Sequence, residues 1–302
     1  MLTTYGRASG LCVDPIEKKP LNHFYPGSTV LSFGTAGCNL GCKFCQNWTM
    51  SRARELDRVQ TWAGPDDIVA AAIEHGCQSV AFTYNDPVVF AEYAIDVARA
   101  CRANGIKTVA VSAGYISEAA RADLFSTVDA VNIDLKSFSD TFYRKLCLAR
   151  LQPVLDTLLW LRANTNVWIE VTTLLVPGAN DEADELSRLC QWCATHLGQD
   201  TPLHFSAYYP AFRHVASPTP PRTLITARDI ATSYGLRFVY TGNILDPRTQ
   251  STYCPHCDAL LIHRQGYRVE RRGADASGRC VRCGYQLVGH FDDHAWAHRQ
   301  GL

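Results

Sequence analysis

The sequence predicts an α/β protein built on a parallel sheet or barrel, followed by a small cysteine-rich module. Three observations predict it. From residue 28 to about 245, short β-rich apolar runs alternate with longer helical patterns at the spacing of βα units. The length of 302 residues suits two domains, or one α/β barrel with an appendage. After Gly242 the pattern changes to hairpin-like runs carrying two CxxC pairs.

Seven strands are expected, at Thr29–Phe33, Ser79–Tyr84, Thr108–Ser112, Ala130–Leu135, Val167–Thr173, Leu203–Ala207 and Arg237–Thr241. Helix signals separate them. Gly64-Pro65-Asp66-Asp67 puts proline and acids in a first turn, while Asn104-Gly105 and Tyr234-Gly235 close helical runs. The proline-rich stretch 215–222 breaks the chain before the last helix. The expected organisation is an N-terminal extension over 1–27, a βα core over 28–245, a four-cysteine, zinc-ribbon-like module over 250–290 and a polar tail over 291–302.

Three strands alternate instead of reading as continuous apolar runs. Asn132, Asp134 and Lys136 share one face of theirs, Glu170 and Thr172 one face of the next, and His204 and Ser206 one face of the third, because successive side chains point oppositely. If the apolar faces pack on helices, the polar faces line a lumen that holds ligand or water; the alternative is an edge strand with one wet face. Ligands of such folds sit at the C-terminal ends of the strands.

Composition narrows the function. Lys plus Arg and Asp plus Glu are both 29, so the net charge is zero and the basic footprint of a duplex nucleic-acid binder is missing. With 47% hydrophobic and 19% charged residues the chain is globular. No apolar run approaches the ~20 residues of a membrane span. The N-terminus lacks an apolar secretory segment, and a reducing cytoplasm is expected. There are 13 cysteines, an odd number in tight clusters, which in that compartment reads as metal or catalytic chemistry.

The first cluster follows the first strand: Gly34-Thr35-Ala36-Gly37-Cys38-Asn39-Leu40-Gly41-Cys42-Lys43-Phe44-Cys45. Three thiolates in eight residues can hold one metal centre, and an iron–sulfur cubane with three local ligands keeps one iron open for a bound molecule. A structural zinc site would need a fourth ligand such as His23.

At these residues the chain resembles the radical SAM superfamily, whose CxxxCxΦC loop is matched by Cys38, Cys42, Phe44 and Cys45. DPIEKKPLNHFYPGS (14–28), GCKFCQNW (41–48), TYNDP (83–87), NIDLKSFSDTFYRKLC (132–147), EVTTLLVPGAND (170–181) and the terminal CPHC and CVRCG make it similar to the AmmeMemoRadiSam-system radical SAM enzymes, themselves similar to pyruvate formate-lyase activating enzymes. The resemblance implies a partial (β/α)6 barrel. It implies a 4Fe–4S cluster on Cys38, Cys42 and Cys45, and S-adenosylmethionine cleaved by one electron to methionine and a 5'-deoxyadenosyl radical that abstracts hydrogen from a substrate.

By the same resemblance Asn85 and Asp86 lie where relatives pair a carboxylate, usually Glu, with the methionyl ammonium. Asp134 and Lys136 match a DLK strand whose lysine could meet a carboxylate, although a lumen ion pair is an equal reading. His204 aligns with a cofactor-side histidine, or is hydrogen-bonded filling. Phe44, Ser112, Glu170 and Thr172 are expected beside the cofactor. Ala113 stands where relatives carry Asn. Relatives often have a glycine-rich run where this chain has Cys147-Leu148-Ala149-Arg150, and many begin with an upstream cysteine-rich segment that this chain is expected to lack. Cys147 is either a substrate-side thiol or a small buried hydrophobe. Cys190 and Cys193 read as core.

Cys254-Pro255-His256-Cys257 and Cys280-Val281-Arg282-Cys283 are separated by 22 intervening residues, close to a zinc-ribbon spacing. Four thiolates suit tetrahedral zinc, with iron as the alternative, and a module of this size typically needs a metal to fold. His256 is expected outside the coordination shell.

The leading expectation is a radical SAM enzyme acting on a small molecule. The alternatives are an activating enzyme acting on a protein glycine and a non-catalytic metal-binding adaptor. A reductant such as flavodoxin or ferredoxin is an expected partner, as are Memo-like and AMMECR-domain proteins by family association; a membrane or nucleic-acid partner is disfavoured.

Overall fold

The computed structural model describes residues 4–53 and 61–292. Most of the expected tail, 293–302, lies outside them. The chain folds as two compact units, each assembled from separated stretches: residues 1–14, 29–169 and 210–216 form the first, and residues 15–28, 170–209 and 217–302 the second.

The first unit carries β1 (Arg7–Ala8), β2 (Cys12–Pro15), β3 (Thr29–Phe33), β4 (Thr61–Trp62), β5 (Ser79–Phe82), β6 (Lys107–Ser112) and β7 (Ala130–Asp134). Its main strands lie in the order β7-β6-β5-β3-β2. β3, β5, β6 and β7 are parallel, with Leu31 opposite Val80, Val80 opposite Thr108 and Ala110 opposite Val131. All four residues of β5 are buried, as a strand covered on both faces requires. Its longer helices are α2 (Pro65–Glu74), α3 (Ala91–Ala103), α4 (Glu118–Phe125) and α6 (Gln152–Asn164); two short ones are α1 (Trp48–Ser51) and α5 (Asp140–Phe142). α2 starts as its sequence dictates, with Pro65 at the first position and the Asp67 carboxylate accepting the Gly64 amide at 2.8 Å. α3 buries Tyr93, Ala94, Val97, Ala98 and Cys101, a stripe of three- and four-residue spacing.

In the second unit β8 (Trp168–Leu175), β9 (Leu203–Ala207) and β10 (Val239–Gly242) run parallel in the order β10-β9-β8, joined by α7 (Ala183–His196) and α8 (Pro221–Ser233). Thr172 stands opposite His204. After α9 (Pro247–Gln250), β11 (Thr252–Tyr253), β12 (Leu260–Gln265) and β13 (Arg268–Arg271) form a small antiparallel sheet. Its apolar core joins Leu261, Ile262, Val269 and Leu287 to Phe238 and Tyr240. All seven expected strands are present, displaced by at most a few residues at their ends.

The polar faces that alternation singled out are mostly dry. Asn132, Glu170, Thr172 and His204 are buried, while Asp134 and Ser206 are half-buried. No helix among the described residues is long and apolar enough to cross a membrane.

Candidate functional site

The three-cysteine loop leaves the end of β3 and is held from several sides. The Asn85 side chain, just past β5, accepts the Thr35 amide at 2.9 Å and donates to the Gly37 carbonyl at 2.7 Å. Gly34 has no alternative, because a Cβ there would strike the Asn85 side chain and the Thr83 carbonyl. The Asn39 amide donates to the Tyr115 carbonyl at 2.7 Å, and the Gly37 amide to Met50 at 3.1 Å. Asn85 therefore shapes the loop directly.

Asp86 is buried and fully engaged within this unit. One carboxylate oxygen accepts from the Ser112 hydroxyl at 3.0 Å and the Val88 amide at 3.1 Å, the other from the Ala113 amide at 2.8 Å. Burial pushes its pKa up, against these donors. The hydrogen bond at residue 113 thus comes from the backbone, so the Asn-to-Ala departure noted in the sequence removes nothing from this contact.

The three loop sulfurs have different surroundings. Cys38 lies 3.9 Å from the Asn39 side-chain oxygen and Cys45 3.3 Å from the Ser51 hydroxyl, while Cys42 is buried and its neighbours Gly41 and Lys43 donate their amides to the Cys147 and Leu146 carbonyls. Burial, then Asp86, raises the Cys38 thiol to about 11. Cys42 is moved down, first by Cys147 and then by Lys136, against burial. Phe44 is buried, 5.6 Å from the Phe142 ring and 6.5 Å from the His214 ring. It anchors the loop between Cys42 and Cys45.

Asp134 and Lys136, at the end of β7, form an ion pair at 2.9 Å. Burial works against the lysine's charge, but Asp134, Cys42 and Cys147 carry its pKa well above the ordinary value. A cation is thereby fixed close to the loop.

Glu170, Thr172 and His204 lie in the second unit. The wholly buried Glu170 carboxylate accepts the backbone amides of Asn22 and His23 at 2.9 and 2.7 Å and meets His204 Nε2 at 2.6 Å. The Thr172 hydroxyl is buried with no hydrogen-bond partner among the described residues. Period-two alternation places Glu170 and His204 each on a polar face. Asn22, His23, Tyr240 and Arg264 were not legible as partners. His23, weighed above as a fourth zinc ligand, has its ring nitrogens at 2.8 Å from the Val288 carbonyl and 2.6 Å from the Tyr240 hydroxyl. Those bonds occupy both atoms a metal would need.

His204, Ser206, Asn22, Tyr240, Arg264 and Tyr267 are among the walls of a cavity of about 560 Å³ in this unit. Arg264 is almost completely buried, donates to Asn22 and Thr252 at 2.7 Å each, and stands 3.7 Å from Glu17. Glu17, Lys18 and Arg264 are the charged residues of the wall, one acid and two cations.

Cys254, Cys257, Cys280 and Cys283 bring all four sulfurs within 4.8 Å of one another. Cys254–Cys283 is 3.5 Å and Cys257–Cys280 is 3.7 Å. Tetrahedral ligands about 2.3 Å from one ion would be separated by roughly 3.8 Å, so the set fits a single metal ion. The two knuckles repeat one backbone turn: the amides of Asp258 and Gly284 donate to the carbonyls of Cys254 and Cys280 at 2.9 and 2.8 Å. His256 is exposed and outside the group.

Among the described residues this is the only such converging group, so the loop cysteines do not have single-ion spacing. Their donors are all sulfur and all free thiols, the set that iron–sulfur clusters use and hard ions avoid. A cubane also holds its thiolates further apart than one ion does. The loop fits a cluster and not a lone ion.

A family model described as the radical SAM superfamily matches residues 33–205. The chain is 40% identical to an uncharacterized protein of Methanocaldococcus jannaschii over 94% of this chain and 84% of that one. It is 23% identical to pyruvate formate-lyase 1-activating enzyme of Escherichia coli, over 63% of this chain and 77% of that one. In structure it is similar to a radical SAM methyltransferase from Sphaerobacter thermophilus, with a TM-score of 0.56 at 16% identity over 72% of this chain and 67% of that one; this likeness concerns the fold. The cysteine loop at the end of β3, the α/β fold with its mostly parallel sheet and the matched segment converge: the chain belongs to the radical SAM superfamily and is a radical SAM enzyme.

Proposed function

We propose that this enzyme cleaves S-adenosylmethionine reductively and abstracts a hydrogen atom from a small-molecule substrate. Cys38, Cys42 and Cys45 would hold the 4Fe–4S cluster, which when bound supplies the electron for that cleavage. Asn85 and Asp86 shape the loop and adjoining backbone. Phe44 and Ser112 act as supports, and the Asp134–Lys136 pair supplies charge for the cofactor's amino-acid end. Thr172, whose buried hydroxyl has no hydrogen-bond partner among the described residues, and His204, oriented by Glu170, are the polar groups assigned to ligand binding. Cys254, Cys257, Cys280 and Cys283 would hold zinc, or iron, in a module spanning 250–290, with 28–245 as the radical SAM core. Radical SAM enzymes generally need a reductant such as flavodoxin or ferredoxin. Membership of an AmmeMemoRadiSam system, with Memo-like and AMMECR-domain partners, is part of the same reading.

The observation that carries the small-molecule reading is the cavity of about 560 Å³, in the ordinary range of ligand pockets. Among its lining residues only His204 falls within the segment matched by the superfamily model. Its walls come from parts of the chain outside that match, which is where substrate selectivity would reside. The similarity to the activating enzyme favours the second reading, a protein glycine as substrate.

Anaerobic reconstitution with iron and sulfide, followed by dithionite and S-adenosylmethionine, is expected to yield 5'-deoxyadenosine by chromatography. None from cluster-replete protein would sink the reading and leave the metal-binding adaptor. A glycine-centred EPR signal on a co-incubated protein would replace the small molecule by a protein substrate.

A further inference from the structure

The chain has no net charge, yet charge is unevenly placed around the cysteine loop. Three segments of the first unit meet there, residues 38–53, 143–151 and 210–216. The Gly41 and Lys43 amides donate to the Cys147 and Leu146 carbonyls at 2.7 and 2.8 Å, and the Arg213 amide donates to the Lys43 carbonyl at 2.9 Å. Together these segments carry six lysines and arginines and neither aspartate nor glutamate. Arg144 pairs with Asp140, and Arg150 is attracted by the same carboxylate. The other four, Lys43, Arg52, Lys145 and Arg213, are exposed and make no ion pair among the described residues.

Apolar side chains lie exposed among these cations. The Trp48 and Phe212 rings stack at 5.5 Å with 15° between their planes, and the Arg213 and Arg52 guanidinium groups sit 5.1 and 6.0 Å from the centre of the Phe212 ring. Trp48 is 43% exposed, and Leu148, whose side chain lies against Gly41, is 63% exposed. An apolar, aromatic centre rimmed by cations is the make-up of a protein-docking surface. Position along the chain points to the partner. Lys43 sits between Cys42 and Cys45, and Trp48 opens α1 three residues after Cys45, so a protein seated here touches the loop that would hold the cluster.

We propose that Lys43, Arg52, Lys145 and Arg213, set around Trp48 and Leu148, form the docking surface for an acidic one-electron carrier protein that reduces the cluster on this loop. One electron leaves the carrier and enters the cluster; no bond forms or breaks. Opposite charge selects the partner and speeds its encounter, and a small apolar centre suits the brief contacts of electron transfer. The inference rests on the three-cysteine cluster, whose presence is measured independently by iron and sulfide content.

The test uses the anaerobically reconstituted full chain and, as probe, a bacterial flavodoxin of negative net charge. Its binding is followed by fluorescence anisotropy at low ionic strength. In parallel, 5'-deoxyadenosine formation is measured against flavodoxin concentration, with photoreduced 5-deazaflavin alone as a small neutral donor. Lys43→Glu/Arg213→Glu should weaken binding and raise the KM for flavodoxin roughly tenfold, with deazaflavin-driven turnover unchanged, and about 0.5 M salt should bring wild type close to the variant. Arg102→Glu/Arg162→Glu makes the same change in net charge at the last turns of α3 and α6, which lead into the starts of β6 and β8, and should behave as wild type. Equal affinity and KM in all three proteins overturn the proposal, as does an equal loss in both double variants, since net charge would then be the cause. If the first variant fails to load a cluster, Arg213→Glu/Lys145→Glu, outside the cysteine loop, decides by the same criterion. An RNA oligomer that binds more tightly than flavodoxin, and is lost with the same substitutions, also overturns it. If cluster-replete wild type yields no 5'-deoxyadenosine even with deazaflavin, the proposed reaction fails, and the binding comparison alone decides the docking.

Discussion

The two cysteine sites hold sulfur in opposite ways. At the C-terminal knuckles four sulfurs converge, two pairs lying at 3.5 and 3.7 Å, and the same turn is used twice to achieve it. In the loop after β3 the three sulfurs do not converge at single-ion spacing, and the backbone is secured by Asn85, Tyr115 and the carbonyls of Leu146 and Cys147. The difference teaches how ligand spacing follows the size of the inorganic group. A converged set closes around one ion and leaves no position for chemistry, whereas a set of three around a larger cluster leaves one iron accessible. The first arrangement suits a structural role and the second a catalytic one.

The strongest way to break this comparison is to remove one ligand from each site. Cys42→Ala should abolish iron and acid-labile sulfide at the loop while leaving one equivalent of metal at the knuckles by elemental analysis. Cys257→Ala should do the reverse, with the cluster's visible absorption retained. Loss of both metals from either variant would show that the sites are not separate.

Next in size is removal of the knuckle metal by chelator. The apolar core around Leu261, Ile262, Val269 and Leu287 is small, and structural zinc contributes apparent binding free energy on the order of 10 kcal/mol. Hydrogen exchange should show the β11–β12–β13 sheet losing protection on chelation and regaining it with zinc. A sheet protected equally without metal would mean that the knuckles are not its staple.

Glu170→Gln sharpens the contrast by weakening the unit of the knuckles alone. An amide nitrogen must then face one of the donors now bonded to the carboxylate, at a cost of about 3 kcal/mol in denaturant unfolding, while cluster loading at the loop stays intact. A cost below about 1 kcal/mol would mean that the bracket is easily rearranged.

The smallest effect near neutral pH comes from His23. Burial lowers its pKa from 6.5 to about 4, with Glu170 pulling the other way. Between those pH values the unfolded chain binds a proton that the folded chain does not, so this contribution is complete above pH 6.5 and falls as pH drops toward 4 by roughly 3 kcal/mol. His23→Gln should show a correspondingly shallower acid slope in denaturant midpoints. Parallel slopes for the two proteins would remove His23 as the titrating group.

Much of this contrast is legible in the sequence. Cysteine spacing distinguishes the two sites, and β-rich runs locate Thr29–Phe33, Leu203–Ala207 and the strands between them, because both signals are local. The contact between Glu170 and His204 is not local. Alternation places each on a polar face, but only the register of β8 against β9 brings them to 2.6 Å. The engagement of Asp86 with Ser112 and Ala113 depends likewise on how β5 lies beside β6. Arg264 stands in the polar end of β12, after Leu260, Leu261 and Ile262, and nothing in the sequence near it names Glu17 or Asn22 as partners.

The placement of residues 15–28 in the second unit also bears on the order of synthesis. His23 emerges from the ribosome early, yet its partners Glu170, Tyr240 and Val288 are made 147, 217 and 265 residues later. At about 5–20 residues per second the segment waits on the order of ten seconds or more for its last partner. Its apolar members Ile16, Leu21 and Phe24, all buried in the finished fold, are exposed during that interval. Residues 15–28 are thus covered fully only after partners some 265 residues further along the chain have been made.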